Sequence, residues 1–251
     1  MEDVVIKLYK SVTYRESVIT DFLYVENTVF GKELGRDYFN NKFENNIYGP
    51  SIIVIGYIGN EPVAADALWR NDINGLIAYQ SSDTAVLDKC RGKGVFKKLV
   101  TAKLSAVEED AIIYGFPNKN SFPGFLKMGW HHNSTYFTSL YTRYNAFRRI
   151  NPTPIDSAYA KWWFKGRKHY YSLKTNGHYF LVVKRKAIVY SIIGEVDKET
   201  YDFFPKALFP CLLLTKSLNE SFFFKGRIPM RIISKGDNQG VSIPIWKMDA
   251  I

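Results

Sequence analysis

The stretch CRGKGVFKKL (90–99) concentrates glycine and positive charge where a helical pattern of apolar residues begins. A short predicted strand, TAVL (84–87), leads into its two glycines. Glycine lets a ligand approach the backbone closely, and the N–H groups at the start of a helix attract anions. The backbone from Arg91 to Phe96 is therefore predicted to bind phosphate, and a pyrophosphate suits such a loop.

Two common phosphate-binding motifs do not fit this stretch. The dinucleotide fingerprint needs three glycines and an acidic residue about 20 positions on, and the Walker loop needs Gly-Lys-Ser/Thr. The alternative interpretation is a solvated turn ahead of an ordinary helix. A second stretch, GFPNKNSFPGFLKMGW (115–130), favours the phosphate site because of its spacing from the first.

Together the two stretches resemble the GNAT acetyltransferase superfamily over about residues 50–140. The pyrophosphate signature of that family reads Arg or Gln, two residues, Gly, one residue, then Gly or Ala. Five consecutive residues follow it, and Phe96 occupies the final small position. The matching residues are Arg91, Gly92, Lys93, Gly94 and Val95. The later part of the family pattern is matched by Asn118, Ser121, Gly129 and Trp130.

The resemblance implies that the chain binds acetyl-CoA. It also implies that the strand before the loop separates from its neighbour at a bulge, with exposed backbone at Val86 and Leu87. An N–H group there would polarise the thioester carbonyl and stabilise the developing oxyanion. The expected cofactor-binding residues are Val86, Leu87, Arg91, Gly92, Lys93, Gly94, Val95, Phe96, Asn118 and Ser121.

Direct acetyl transfer needs a neutral amine, and alkyl amines have pKa values near ~10. A base must therefore accept a proton, directly or through water. Asp83, just before the strand 84–87, is predicted to be this base; its alternative role is a turn-capping or surface carboxylate. The family's usual acid, a tyrosine, is replaced by Phe125. Tyr114 and Tyr136 are the candidate acids, and otherwise they are packing residues.

Other chemistries are weaker alternatives. Cys90 lies between two cations, which lower a thiol pKa, so an acyl-cysteine is conceivable. His131 and His132 face opposite sides of a predicted strand, which disfavours a shared metal. The basic runs KGRK (165–168) and KRK (184–186) lie near tryptophans, and nucleic-acid binding is the alternative they indicate. Binding of a single strand would need exposed aromatic rings. A non-catalytic acyl-CoA-binding module is the most serious rival, because the family tyrosine is missing.

The elements that would position these residues form an α/β fold. We expect a helix in 14–31, strands at 51–58, 61–69, 76–82 and 84–87, and a helix from residue 95 to 107. A strand at 111–116, a short helix in 121–130 and a strand at 134–144 follow. This order predicts the GNAT acyl-CoA N-acyltransferase fold, with a central mixed, mostly antiparallel sheet flanked by helices.

The second half of the chain is predicted to be a smaller, degenerate GNAT-like half. Residues 150–160 carry two prolines and indicate a linker into a helix. Strands are predicted at 178–193, around a basic turn, and at 211–216, 230–235 and 240–246, with a helix in 197–208. The segment 164–192 echoes 43–65 without a glycine-rich loop. The expected domains are residues 1–147 and 148–251.

Composition limits the function further. The chain has 251 residues, a net charge of +10 and two cysteines, Cys90 and Cys211. Few cysteines favour a reducing, cytoplasmic location, and no apolar run reaches the length of a membrane helix. Positive charge favours a phosphorylated ligand besides CoA. The expected acceptor is a small amine, perhaps a nucleotide-linked amino sugar, with O-acetyl or aminoacyl transfer as alternatives, and no nucleic acid is expected.

Overall fold

The computed structural model describes residues 3–142, 154–208, 212–217, 229–236, 242–244 and 247. The chain forms two compact units. The first comprises Met1–His132 with Ile233–Val241, and the second comprises Asn133–Ile232 with Ser242–Ile251. The domain boundary expected at residues 147 and 148 lies outside the described residues.

The first unit is built on a sheet in the order β1-β2-β3-β4-β5-β11. All neighbouring strands are antiparallel except β4 and β5, which are parallel. Strand β2 is apolar at nearly every position because both of its faces are covered. The strands are β1 (Val5–Ser11), β2 (Ser51–Ile58), β3 (Glu61–Arg70), β4 (Ala78–Val86), β5 (Ile112–Gly115) and β11 (Met230–Lys235).

Helices cover both faces of this sheet. Helix α1 (Glu16–Phe30) packs on β3 and β4, as does a π-helical turn (Asn40–Glu44) on β3. Helix α2 (Arg36–Phe39) leads directly into that turn. Helix α3 (Val95–Leu104) packs on the alternate residues of β2 and β3, which face the other way. Helix α4 (Phe122–Lys127) follows β5.

The second unit contains a sheet in the order β6-β10-β9-β8-β7. Strands β9 and β10 are parallel, and the other neighbours are antiparallel. Its helices are α5 (Ser157–Phe164) and α6 (Lys198–Phe203). Its strands are β6 (His131–Thr142), β7 (Tyr170–Thr175), β8 (His178–Lys186), β9 (Val189–Glu195) and β10 (Leu212–Ser217).

The two units repeat one pattern of connections, which explains the internal echo in the sequence. Three antiparallel strands are followed by a helix and by a strand parallel to the third, as β2-β3-β4-α3-β5 and as β7-β8-β9-α6-β10. The helix starts differ. At the start of α6 the Asp197 carboxylate accepts the N–H of Thr200 at 2.7 Å, whereas Gly94, the residue before α3, provides no side-chain cap.

Several element predictions need correction. The strands predicted at 76–82 and 84–87 are one strand, β4, because Asp83 is accommodated as a bulge. Strand β1 and helix α2 were not predicted, since both are short and mostly exposed. Of the strand predicted at 240–246, residues 242–244 form none, and the remainder lies outside the described residues. No helix in the described parts is long and apolar enough to cross a membrane.

Candidate active site

A β-bulge interrupts β4 close to the predicted cofactor loop. Ala65 of β3 faces Ala85 and Ala67 faces Ser82, so β4 carries one extra residue at this point. Asp83 lies in the bulge and has a φ of 50°. This value falls in the left-handed region, which few non-glycine residues adopt. The bulge changes which residues of β4 face each side of the sheet.

Strands β4 and β5 part beside this bulge. They pair only from Ala78 with Ile112 to Ser81 with Gly115, and β4 then continues to Val86. Among the described strands, none pairs with residues 82–86 of β4 on the β5 side. A strand edge of this kind offers backbone N–H and C=O groups to an extended ligand.

The backbone at Leu87 is not exposed at this edge as expected. The N–H group of Leu87 donates to the carbonyl oxygen of Val63 at 2.9 Å, so it faces β3. Since successive N–H groups of a strand point to opposite sides, the N–H group of Val86 faces away from β3. The Val86 carbonyl oxygen accepts a hydrogen bond from Nε of Arg91 at 3.1 Å. At this edge the N–H group of Val86, rather than that of Leu87, therefore points away from β3.

The glycine stretch forms a tight turn into α3. After a 3-10 turn (Asp88–Cys90), Gly92 and Gly94 both have φ of 75°. An added Cβ would meet no atom within 4 Å at either glycine, so the backbone conformation alone requires them. The first helical hydrogen bond of α3 runs from the N–H of Lys98 to the Gly94 carbonyl.

The first turn of α3 consequently presents unpaired donors. No described residue accepts the N–H groups of Val95, Phe96 or Lys97. These groups and the positive end of the helix dipole point toward the turn, which is the geometry of an anion site. Nearby cations are engaged locally: Arg91 pairs with Asp88 at 2.7 Å, and Nζ of Lys93 donates to the Lys89 carbonyl at 2.6 Å.

Asp83, the predicted base, is buried in an ion pair. Its carboxylate accepts hydrogen bonds from Nζ of Lys42 at 2.6 Å, the Tyr38 hydroxyl at 2.8 Å and the Ser82 hydroxyl at 2.9 Å. Burial alone would raise the pKa of Asp83, but the Lys42 ammonium and the two hydroxyls more than reverse this effect and lower it. A carboxylate held ionised in this way is a weak proton acceptor.

Lys42, the ion-pair partner of Asp83, lies among aromatic rings. Its side chain is fully buried, and Nζ lies 5.1 Å from the centroid of the Trp69 ring and 5.5 Å from that of Phe43. Asp83 and the ring faces together compensate the buried charge. The ion pair therefore fixes the π-helical turn against the bulge in β4.

A second buried carboxyl group, that of Glu26, interacts with Asp83 and Lys42, and its pKa is raised and not lowered. Glu26 of α1 is 1% exposed, and its Oε1 atom has no hydrogen-bond partner among the described residues. Burial raises the pKa of Glu26 to about 9, and the negative charge of Asp83 contributes to the rise. Glu26 is therefore a neutral acid near pH 7, while the lowered pKa of Asp83 keeps its carboxylate ionised.

The opposite face of β3 carries another buried ion pair. Lys103 of α3 and Asp66 of β3 are both fully buried and lie 2.6 Å apart. Asp66 also accepts the hydroxyl of Thr84 at 2.8 Å, and Lys103 donates to the Ser81 hydroxyl at 2.7 Å. Burial raises the pKa of Asp66 and lowers that of Lys103, and their mutual contact opposes both shifts. This pair anchors α3 on both sides of the bulge.

The residues predicted in the second stretch form the start of α4. The side-chain oxygen of Asn118 accepts the N–H groups of Asn120 and Ser121 at 2.9 and 3.0 Å. Phe125 is buried, with its ring centroid 5.2 Å from that of Phe96 and 4.8 Å from that of Trp130. The ring at the family's tyrosine position thus belongs to an apolar cluster.

Two of the remaining candidates, Tyr114 and Cys90, are buried. Tyr114 is fully buried, and its hydroxyl donates to the Asn71 carbonyl at 3.4 Å. Cys90, considered as a nucleophile, is 2% exposed and packs with Leu99 under α3. No group of three or more potential metal ligands was found in the described parts of the chain.

Lys42, Tyr38 and Glu26 were not predicted. Lys42 lies in a polar run, NNKFENN (40–46), which is typical of a surface loop, so nothing in the sequence marks it as buried. Glu26 did leave a signal, because it follows Phe22 by four residues on the apolar face of α1. A carboxylate on such a face is a candidate for a raised pKa.

Comparisons with known proteins identify the fold. No family model and no curated protein sequence matches the chain. A GCN5-related N-acetyltransferase from Kribbella flavida is similar in structure, with a TM-score of 0.60 and 12% identity over 92% of this chain and 71% of its own. One from Anabaena variabilis gives 0.59 and 11%, over 92% and 72%.

A third structure, Eis1 from Mycobacterium abscessus, aligns over 84% of this chain and 65% of its own, with a TM-score of 0.53 and 12% identity. Identities this low establish the fold and nothing about the reaction. The chain therefore has the GNAT acetyltransferase fold that the two glycine-containing stretches predicted.

Proposed function

We propose that the chain is an acetyl-CoA-dependent N-acetyltransferase that acts on a small polar amine by direct attack on the thioester. One observation carries the proposal: the unpaired edge of β4 leads through Gly92 and Gly94 into a helix start without a side-chain cap. An extended amide chain that ends in a pyrophosphate matches this sequence of donors and acceptors, and acetyl-CoA has that constitution.

The pyrophosphate would accept hydrogen bonds from the N–H groups of Val95, Phe96 and Lys97. Arg91 and Lys93 would add positive charge, and the edge of β4 would pair with the pantetheine amides. The N–H group of Val86 would polarise the thioester carbonyl, which is worth up to about 3–4 kcal/mol of transition-state stabilisation for one donor. Asn118 and Ser121 support the site indirectly, by fixing the start of α4.

Asp83 contributes as a positioning residue in this proposal. Its pKa is lowered, and transfer of a proton from an amine of pKa near ~10 to such a carboxylate is strongly uphill. Its hydrogen bonds instead hold the Tyr38 hydroxyl and the Lys42 ammonium at the bulge. The amine therefore reacts as the neutral fraction present in solution, having lost its proton to bulk base before it attacks the thioester. The direct role of Asp83 as base stays a prediction that a pH–rate profile can decide.

The thiolate leaves without a tyrosine at position 125. Phe125 cannot donate a proton, and the hydroxyl of Tyr114 is buried against the Asn71 carbonyl. A CoA thiolate is a stable leaving group because thiols have pKa values near 8.5. Protonation by solvent is therefore sufficient in this proposal, although Tyr114 stays the predicted acid among the protein side chains.

The acceptor proposed here is an amine on a small polar molecule, with a nucleotide-linked amino sugar as the first candidate. The amino-sugar candidate rests on the sequence resemblance alone. Positive charge gives it no further support in the first unit, because residues 1–132 and 233–241 contain 16 Lys and Arg against 17 Asp and Glu. The excess lies in the second unit, residues 133–232 and 242–251, which contains 18 against 7.

A non-catalytic acyl-CoA-binding module is the second candidate function. Two observations favour it. Phe125 stands at the position of the family's acid, and the negative charge of Asp83 is compensated by its ion pair with Lys42. This module would bind acetyl-CoA through the same backbone groups. It would not cleave the thioester, so no free CoA would form.

A turnover assay separates the two functions. Acetyl-CoA is supplied with pools of amino-sugar nucleotides, aminoglycosides, polyamines and peptides, and free thiol and product mass are followed. We expect thiol release with an amine pool and a product heavier by one acetyl group. Turnover confined to peptides or polyamines would reject the sugar and retain the transferase. Tight acetyl-CoA binding without turnover in any pool would favour the module.

A further inference from the structure

Two basic runs of the second unit lie at one end of its sheet. The segment 165–168 joins α5 to β7, and the N–H of Lys184 donates to the His169 carbonyl at 2.8 Å. The basic runs 165–168 and 184–186 therefore meet at one end of the strands β7, β8 and β9. Together they contribute six cations, namely Lys165, Arg167, Lys168, Lys184, Arg185 and Lys186.

The acidic residues described in this unit lie at the other end. Glu195 ends β9, Asp197 caps α6, and Asp197 accepts the hydroxyl of Ser157 at 2.5 Å. The ion pairs recorded for the described residues of this unit all involve Glu195, Glu199 or Asp202. Within the basic runs, Nε of Arg185 donates to the Ser191 hydroxyl at 2.9 Å.

The cations are open to solvent. Lys165, Lys168, Arg185 and Lys186 are exposed, and the guanidinium of Arg167 stacks on the Trp163 ring at 3.7 Å. Cations after a helix C-terminus stabilise the helix dipole, which accounts for the charge that follows α5. It does not account for the run 184–186, which belongs to a hairpin.

Apolar side chains accompany the cations at the same end. Ile188, in the turn between β8 and β9, is 46% exposed, and Leu208 is 70% exposed. The hydroxyl of Tyr190 donates to the Leu208 carbonyl at 3.0 Å, which places that backbone beside the start of β9. In contrast, Trp163 and Tyr170 are buried, so they offer no stacking platform for bases.

We propose that this end of the second unit docks on an anionic phospholipid bilayer. The basic end is defined as residues 165–168 and 184–188 with Leu208. Lysine and arginine near a membrane surface are attracted by anionic headgroups, with about a fivefold gain in partitioning for each charge. Exposed aliphatic side chains enter the interface and add apolar contact. Nucleic acid would share the charge complementarity, but Trp163 and Tyr170 at this end are buried and cannot stack on its bases.

Vesicle binding by the full chain tests the proposal. Co-sedimentation is measured with phosphatidylcholine vesicles with and without about 30% phosphatidylserine, at low and high salt. We expect binding that requires phosphatidylserine and weakens as salt increases. Lys168→Glu/Lys186→Glu should reduce the partition coefficient at least about tenfold. The matched control Lys174→Glu/Lys198→Glu changes the net charge equally at the acidic end, where Lys174 and Lys198 are exposed, and should bind nearly as the wild type does.

The apolar residues distinguish a bilayer from other polyanions. Ile188→Ser/Leu208→Ser should weaken vesicle binding several-fold and leave the anisotropy of a labelled 30-nucleotide RNA unchanged, with ~30 nucleotides chosen to span a charged patch. Absence of vesicle binding, equal losses in both charge variants, or RNA binding without vesicle binding would overturn the proposal. Unchanged thermal unfolding of each variant excludes a folding defect.

Discussion

At the scale of single residues, Lys42 and Asp83 are the most consequential pair. Each side chain has lost its hydration, and each is compensated mainly by the other at 2.6 Å. Removing one member of such a pair leaves an isolated buried charge and typically costs about 3–5 kcal/mol of unfolding free energy. Removing both charges costs less, because no ion is left behind.

We therefore expect Lys42→Met and Asp83→Asn each to destabilise the fold strongly, and the double variant to be more stable than the two single changes predict by addition. Urea unfolding of all four proteins measures this coupling. Additive losses would show that the pair does not interact in solution.

The same variants decide the role of Asp83 in proton transfer. If Asp83 positions Tyr38 and Lys42, Asp83→Asn should lower kcat modestly, and Lys42→Met should leave the pH dependence of kcat in place. A direct base would instead lose about 10²–10⁴ in kcat upon Asp83→Asn. With a direct base, Lys42→Met would also move the acidic limb of the profile to higher pH, because it raises the pKa of Asp83.

Glu26 makes stability depend on pH. Its folded-state pKa of about 9 lies above the ordinary value of 4.5. The contribution of Glu26 to the stability of the folded state is thus fully present below about pH 4.5. It is lost as the pH rises toward 9, by about 1.4 kcal/mol per pH unit. Glu26→Gln should flatten this slope, so that the variant is relatively more stable at pH 8 than at pH 5 in urea titrations. Parallel curves for both proteins would contradict the raised pKa.

At the scale of elements, α4 packs against the first turn of α3. The Phe96 ring occupies space beside Gly124, where an added Cβ would lie 3.0 Å from Cε1 of the ring. The large residue in the last position of the family signature is thus accommodated by a glycine in the next helix. This contact links the N–H groups of the predicted anion site to the helix that follows β5.

Gly124→Ala should therefore destabilise the fold by about 1 kcal/mol, because the overlap outweighs the gain in helix propensity. In a Phe96→Leu background the same change should become stabilising. Gly35→Ala serves as the control, since that site has open space and a φ of −102°. Thermal unfolding measures all variants, and an unchanged sign in the Phe96→Leu background would refute the steric explanation.

At the scale of the whole molecule, the sequence was most informative where local rules decide the structure. The strand–glycine–helix unit at 84–104 follows from apolar spacing and from the conformations that Gly92 and Gly94 permit. A bulge in this strand was implied by the family resemblance, but its position at Asp83 and the burial of Lys42 were not predictable, because both depend on which side chains meet across the sheet. The pairing of residues 233–235 with β5 is likewise a long-range contact that no local pattern indicates.

Titration calorimetry with acetyl-CoA measures whether the first unit binds this ligand. Gly94→Glu places a carboxylate beside the proposed pyrophosphate. Gly75→Glu makes the same change at a turn with a similar φ of 79° and equal open space, between β3 and β4. We predict that the wild type and Gly75→Glu bind acetyl-CoA alike and that Gly94→Glu weakens binding at least about 100-fold. Equal affinity of all three proteins, or no binding by the wild type, would contradict the account.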